Sequence, residues 1–328
     1  MKQKIAICRP IPEHGIKMLE RHPSFEVVMN KTSKVLGRGQ LKELVKDASA
    51  IIALLTDRID DEIMQAAGPN LKIIANYTVG YDNVDIEAAC KRKIMVSNTA
   101  NSSNRAVAEH AIALMLAASR RLVEADEYMR KGKYRQWDPE LFISPGLFGQ
   151  TLGIIGTGRI GSEVAHSCYH GLGMKIQYFD LQKNEDLERT THAYHVSLDH
   201  LLQTSDFVSL HVPLLPSTKH MINAAKLKLM KPTAVLINTA RGPVVDEKAL
   251  VEALKRNTIM AAGLDVFEDE TKVNKSLIKL PNVIMTPHIA SATRDTRDTM
   301  STMAAENVIA ALAGSRPPCL VNVEVLTQ

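Results

Sequence analysis

Along the first hundred residues, short apolar runs recur at intervals that leave room for one helix between each pair. The runs 5–8, 25–29, 50–55, 71–76 and 94–97 are apolar almost throughout. Continuous rather than alternating hydrophobicity marks strands covered on both faces. The segments around 16–20, 41–46, 62–67 and 86–91 place apolar residues at helical spacing among polar ones,. Together they predict a five-stranded parallel sheet with helices on both faces.

The pattern then changes. From Asn104 to about Lys131 it predicts one long helix, spanning about 40 Å. Its first half is apolar nearly all round, with Ala106, Val107, Ala111, Ile112, Leu114, Met115 and Leu116, and its second half is charged. All-round hydrophobicity implies burial at a domain or subunit interface. The strand–helix rhythm resumes at 152–155 and continues through strands at 207–211, 234–238, 260–266 and 283–286, with helices between them. A last helix, about 291–313, is expected to run back toward the first domain. The expected fold is α/β, with two doubly wound parallel-sheet domains. Residues 100–289 form a Rossmann domain inserted into a flavodoxin-like domain made of 1–99 and 290–328.

The inserted region opens on TLGIIGTGRIGSEVAHSCYHGLGMKIQYFD, residues 151–180. A strand, a Gly-x-Gly-x-x-Gly turn, a helix and a second strand ending on an acid follow in order, which is the full pattern of a dinucleotide-binding unit. Gly156 permits a tight exit from the strand, Gly158 lets backbone approach a pyrophosphate, and Gly161 allows close packing of helix on strand. The helix from Arg159 onward presents free N–H groups to the phosphates. Asp180 is placed to accept both ribose hydroxyls of NAD and to repel the 2′-phosphate of NADP.

Composition narrows the function class. The 328 residues are 45% hydrophobic, enough for two domains with large cores,. A net charge of +4 arises from 40 basic and 36 acidic side chains that are interspersed. No basic stripe points to nucleic acid. The longest apolar helical stretch carries Glu109 and His110, and no apolar leader precedes the first strand, so no membrane partner is expected and the reading is cytoplasmic,. Cys8, Cys90, Cys168 and Cys319 are too scattered for a zinc knuckle or disulfide framework,. The histidines lack a completing carboxylate, so no metal is expected.

Three strand ends of the inserted region carry reactive groups, where open parallel sheets bind ligands. LINTARGPVVDEKAL presents Arg241, AAGLDVFEDE presents Asp265 and Glu270, and VIMTPHIASAT presents His288. Beside a nicotinamide they have complementary tasks in reducing a 2-keto acid. Arg241 can clasp the substrate carboxylate and lean on the carbonyl oxygen. His288 can deliver the proton, with Glu270 holding and charging its ring. Asp265 can accept from the nicotinamide amide and fix the ring face. In the first domain, NYTVGYDNVD contains Gly80, whose positive φ would turn the N–H groups of Val79 and Gly80 into an anion nest facing Arg241,.

These stretches resemble the D-isomer-specific 2-hydroxyacid dehydrogenase family, most closely its glyoxylate/hydroxypyruvate reductase branch. The motifs are LLTDRID (54–60), NYTVGYDNVD (76–85), GIIGTGRIG (153–161), HVPL (211–214), INTARGPVVDE (237–247), GLDVFEDE (263–270) and TPHIAS (286–291). The resemblance implies catalysis by Arg241, Glu270 and His288, and NAD (NADH) as cofactor. Cofactor contacts are implied for Gly156, Gly158, Arg159, Ile160, Gly161, Asp180, His211, Val212, Pro213, Thr239, Ala240, Arg241 and Asp265. For substrate it implies Leu55, Val79, Gly80, Arg241 and His288. It further implies a homodimer built through the inserted domain, with Trp137 closing the partner subunit's pocket. The chain departs from the family at Asn98-Thr99-Ala100-Asn101, at Asn104, and at Thr271, which stands where a proline is usual after the glutamate. Enzymatic rivals are a phosphoglycerate dehydrogenase, which would want more cations near the first-domain pocket than Arg58, and D-lactate dehydrogenase, whose Tyr-bearing loop is missing. A dinucleotide-sensing corepressor is the rival of another class.

Overall fold

Strands apolar on both sides must be covered on both sides, and the computed structural model, which describes residues 2–326, builds two units on that rule. One takes in the chain up to Ser103 and again from Ala292; the other runs Asn104–Ser291.

In the first unit β1 (Gln3–Ile7), α1 (Glu13–Glu20), β2 (Phe25–Met29), α2 (Arg38–Val45), β3 (Ala50–Ala53), α3 (Asp61–Ala67), β4 (Ile73–Asn76), α4 (Ile86–Lys91) and β5 (Met95–Ser97) alternate as expected. The sheet order is β2-β1-β3-β4-β5, with every pair parallel. Such pairing requires crossovers, and capping carboxylates start two of the helices: Asp60 accepts from the Ile63 N–H and Asp85 from the Ala88 N–H,. The final helix, Arg294–Leu312, belongs to this unit and buries Met300, Ala304 and Val308 against Ile5, Ile7 and Ile52. The tail is fastened to the sheet edge. Val321 N–H donates to the Val96 carbonyl, and the buried Asn322 side chain serves both Val96 N–H and the Ile94 carbonyl.

The second unit comprises α5 (Asn104–Ser119), α6 (Leu122–Arg130), β6 (Thr151–Ile155), α7 (Arg159–Leu172), β7 (Lys175–Phe179), α8 (Glu185–Thr191), β8 (Tyr194–His195) and α9 (Leu198–Thr204). It continues with β9 (Phe207–Leu210), α10 (Ala224–Leu227), β10 (Val235–Asn238), α11 (Glu247–Lys255), β11 (Ala261–Leu264), α12 (Lys275–Ile278) and β12 (Val283–Met285). Its seven strands order as β12-β11-β10-β9-β6-β7-β8, all parallel. The order reverses between β6 and β9, where doubly wound sheets open a crevice at the carboxyl ends of their strands,.

Two expectations need correction. The single helix from Asn104 to Lys131 is broken at Arg121, which is left-handed at φ 52°. Arg121 forms a two-pronged pair with Glu124 at 2.9 and 2.7 Å, and its guanidinium lies 4.8 Å over the Phe142 ring, contacts that help hold the strained conformation,. The apolar half, α5, is buried within its own unit: Ala108, Ala111, Leu114, Met115 and Ala118 join the core under β6 and β10. α6 buries nothing. The second correction is β8, a two-residue edge strand too short to leave a hydrophobic pattern. Among the described residues no helix is long and apolar enough to cross a membrane.

Candidate active site

Everything that the second unit offers for chemistry gathers at the carboxyl ends of β6, β7, β9, β10, β11 and β12. At the end of β6 the turn depends on glycine in three ways. Gly156 has φ +93°, and a Cβ there would lie 2.8 Å from the His211 carbonyl oxygen. A Cβ on Gly161 would sit 2.0 Å from the Gly156 oxygen, so helix and strand touch through backbone. Gly158, the N-cap of α7, faces open space. That combination leaves the first turn of a 14-residue helix uncovered for an anion,.

Asp180 follows β7. Its Oδ2 accepts from Thr157 N at 2.7 Å and Thr157 Oγ1 at 3.0 Å, and its Oδ1 accepts from Leu181 N at 2.7 Å. The carboxylate is thereby tied to the glycine turn, and it remains part-exposed. At the end of β9, burial pushes the His211 imidazole down to about 4, so the ring is neutral at pH 7, sharing a 2.8 Å hydrogen bond with Ser209 Oγ. Val212 is half-buried and Pro213 exposed, as are Ile160 and Arg159 respectively. The Thr239 hydroxyl, at the end of β10, is buried with no protein partner. An orphaned hydroxyl, an uncovered helix start and a fixed carboxylate at the neighbouring strand end fit a dinucleotide.

Beyond β10 the backbone turns sharply. Asn238 spans the turn, its Nδ2 donating to the Arg241 carbonyl at 2.9 Å and its Oδ1 accepting from Ala240 N at 3.0 Å. Arg241 is half-buried, with Nη1 donating to the Ala240 carbonyl at 2.8 Å. Gly242 lies flush on the next loop, since a Cβ there would come within 1.9 Å of the Phe267 carbonyl carbon. Glu247 and Glu268 exchange hydrogen bonds with each other's backbone N–H, at 3.3 and 3.1 Å, and His220 Nε2 lies 2.6 Å from Glu268 Oε1. The segments bearing Arg241 and Glu270 are therefore locked side by side. Sequence reasoning passed over Asn238, Glu247, Glu268 and His220, because nothing in their spacing reveals a contact between two loops.

β11 and β12 bring the acid and base together. Glu270 Oε1 lies 2.7 Å from His288 Nδ1, with the two side chains 29% and 28% exposed. His288 has φ +54°, an uncommon conformation for a residue with a side chain,. Asp265 holds it there. Its carbonyl accepts the His288 N–H at 2.9 Å, its Oδ1 accepts from Ile289 N at 2.9 Å and Thr286 Oγ1 at 2.6 Å, and its Oδ2 accepts from Ala290 N at 2.8 Å. The side chain is 0% exposed. Through these donors Asp265 winds the turn that carries His288.

In the first unit Leu55 is half-buried just beyond β3. The turn after β4 does not draw on a left-handed Gly80. Instead Asn76 Nδ2 donates to the Gly80 carbonyl at 2.9 Å, and Asn98 Nδ2 to the Val79 carbonyl at 2.7 Å. Asn98 is thus a structural residue of the strand end. Trp137 is 77% exposed. Among the described residues no group of histidine, cysteine and acidic side chains could hold a metal ion.

Residues 112–290 match the family described as D-isomer specific 2-hydroxyacid dehydrogenase, NAD binding domain. Over the whole chain, the sequence is 49% identical to a glyoxylate reductase of Thermococcus litoralis, covering 99% of that protein. A solved protein of Thermus thermophilus superposes with a TM-score of 0.91 at 40% identity, covering 97% of this chain and 100% of that one. An NADPH-dependent glyoxylate/hydroxypyruvate reductase of Sinorhizobium meliloti, solved with NADP and malonate, gives 0.83 at 33% identity over 98% and 97% of the two chains.

If the Asp180 carboxylate, fixed by Thr157, reads the ribose, a 2′-phosphate would bring like charge against it, a clash of several kcal/mol,. NADH should outperform NADPH in the unaltered protein, and Asp180→Ala should narrow the ratio of kcat/KM values by about tenfold or more. Equal efficiency with both cofactors in the unaltered protein would remove Asp180 from this role.

Proposed function

The chain belongs to the D-isomer-specific 2-hydroxyacid dehydrogenase family, and from that premise we propose that it reduces a small 2-keto acid, glyoxylate or hydroxypyruvate, to the D-2-hydroxy acid with NADH. The observation that carries the reading is the 2.7 Å contact between Glu270 and His288 at adjoining strand ends of an NAD-binding domain. Bound NADH would supply the hydride, held by the Gly156–Gly161 turn, Asp180 and the strand ends at His211 and Thr239.

Hydride addition turns a carbonyl into an alkoxide, so the protein must supply a proton and stabilise negative charge. His288 uses Nδ1 for Glu270, which leaves Nε2 as the proton-delivering atom,. Through that bond Glu270 fixes the orientation of the ring,. Arg241, fixed by the Asn238 turn, presents a planar fork suited to a carboxylate, and leans on the carbonyl oxygen as charge develops,. Leu55, Val79 and Gly80 are assigned to the substrate in the same reading. NADH oxidation measured against glyoxylate, hydroxypyruvate, pyruvate and phosphohydroxypyruvate tests it. Turnover on the order of 1 per second or faster with the first two supports it. Preference for phosphohydroxypyruvate, or no turnover, contradicts it.

We further propose a homodimer formed through the second unit. Leu122, Val123, Met129, Trp137, Ile143 and Phe148 are each at least half exposed within one 27-residue stretch, a concentration of apolar side chains in keeping with a protein–protein contact,. Sedimentation equilibrium should give twice the chain mass, and a monomer at micromolar concentration would refute the assignment of Trp137 to a partner's pocket.

Arg241→Lys should lower kcat/KM by about two to three orders of magnitude with little effect on NADH affinity, because a point charge cannot reproduce two parallel hydrogen bonds. Near-normal efficiency would place the carboxylate clamp elsewhere. Glu270→Gln keeps the shape and removes the charge. Turnover in both directions should then fall by about ten- to a hundredfold with NADH affinity little changed, because the ring loses the partner that orients it,. Unchanged turnover would mean that another neighbour orients His288.

A further inference from the structure

The turn that presents His288 is wound around Asp265, but Asp265 has one more neighbour that the chemistry described above does not use. His110, on α5, points its Nε2 at Thr286 Oγ1, 2.9 Å away, and lies 3.5 Å from Asp265 Oδ1. The direction of the chain of bonds follows from proton count. Thr286 has one hydroxyl proton and gives it to Asp265 at 2.6 Å, so His110 must be the donor to Thr286, with its proton on Nε2,. His110 thus points into a carboxylate with no exposed surface, through a hydroxyl on the strand end that leads into the His288 turn.

We propose that His110 is a positioning residue for the proton donor, acting through Thr286 and Asp265 on the left-handed turn at His288. This rests on the functional reading above for its consequence, though not for its geometry. A left-handed histidine persists only where its surroundings over-determine it. Here Asp265 Oδ1 serves Thr286 on one side and the Ile289 N–H on the other, so the His110–Thr286 bond decides how that oxygen is shared. The same sharing reaches Ala290 through Oδ2. Loss of the outermost donor leaves the Thr286 hydroxyl free to rotate away from Asp265. The turn then loses one of its fixed points, and a donor misplaced by an ångström can lose about a hundredfold in rate.

The experiment compares His110→Leu, His110→Gln and Thr286→Val in the full-length protein. Gln can present an N–H near the position of Nε2, so it should rescue; Leu and Val cannot donate. His110→Leu and Thr286→Val should each lower kcat by roughly ten- to a hundredfold, with NADH affinity within about threefold of the unaltered protein, and His110→Gln should recover most of the loss. Hydrogen exchange reads the geometry without turnover: the Ile289 and Ala290 amides should exchange on the order of tenfold faster in the non-donating variants, with the β6 amides unmoved. Unchanged kcat and exchange in His110→Leu, or equal losses in Leu and Gln variants, would overturn the proposal. Should His110→Leu fail to fold, His110→Phe, which fills the place of the ring without donating, carries the same test. If the unaltered protein turns over no 2-keto acid, the functional reading fails alone, and the exchange rates still decide the role of His110.

Discussion

A carboxylate removed entirely from water must be surrounded by donors, and Asp265 meets that demand by winding the chain beyond β12 around itself. Three N–H or O–H groups reach its two oxygens and a fourth reaches its carbonyl, all from residues 286–290. An isolated buried charge would cost far more than the net stability of a domain can absorb, so the turn is not free to relax. His288 inherits its left-handed backbone from that constraint, and its approach to Glu270 follows from where the turn sets it.

The other half of the site rests on close backbone approach. Glycines at 156, 161 and 242 each stand where a Cβ would meet another segment's backbone. At 156 and 161 this brings α7 and β9 against the end of β6; at 242 it sets the Arg241 turn on the Glu270 loop. Exchange of bonds between Glu247 and Glu268 then fixes that second junction in register. The arrangement gives the glycine turn, the Arg241 guanidinium and the Glu270–His288 pair one shared foundation, the carboxyl edge of a parallel sheet.

Much of this was legible in the sequence because parallel strands leave continuous apolar runs and the glycine turn is tied to a local backbone need. The parallel pairing of both sheets followed from those runs and the helices between them. What stayed hidden depended on contacts distant along the chain or on single dihedral angles. Arg121 breaks the long helix by a conformation that arginine has no general preference for. The shape of the Val79–Gly80 turn comes from two asparagine amides, Asn76 and Asn98, rather than from glycine. Asp265 reads in sequence as a cofactor ligand, and its donors show in addition the turn that it winds. His110 looked like an interruption in an apolar helix, and its partner Thr286 lies 176 positions away.

The central claim is that the imidazole held by Glu270 and Asp265 faces the reacting carbonyl. A crystal structure of the protein with NADH and oxamate, an unreactive mimic of a 2-keto acid, measures this directly. The account predicts His288 Nε2 within about 3 Å of the oxamate carbonyl oxygen, with the Arg241 fork on its carboxylate. Oxamate bound with another side chain at that oxygen, or with His288 turned away while Glu270 still holds Nδ1, would contradict it.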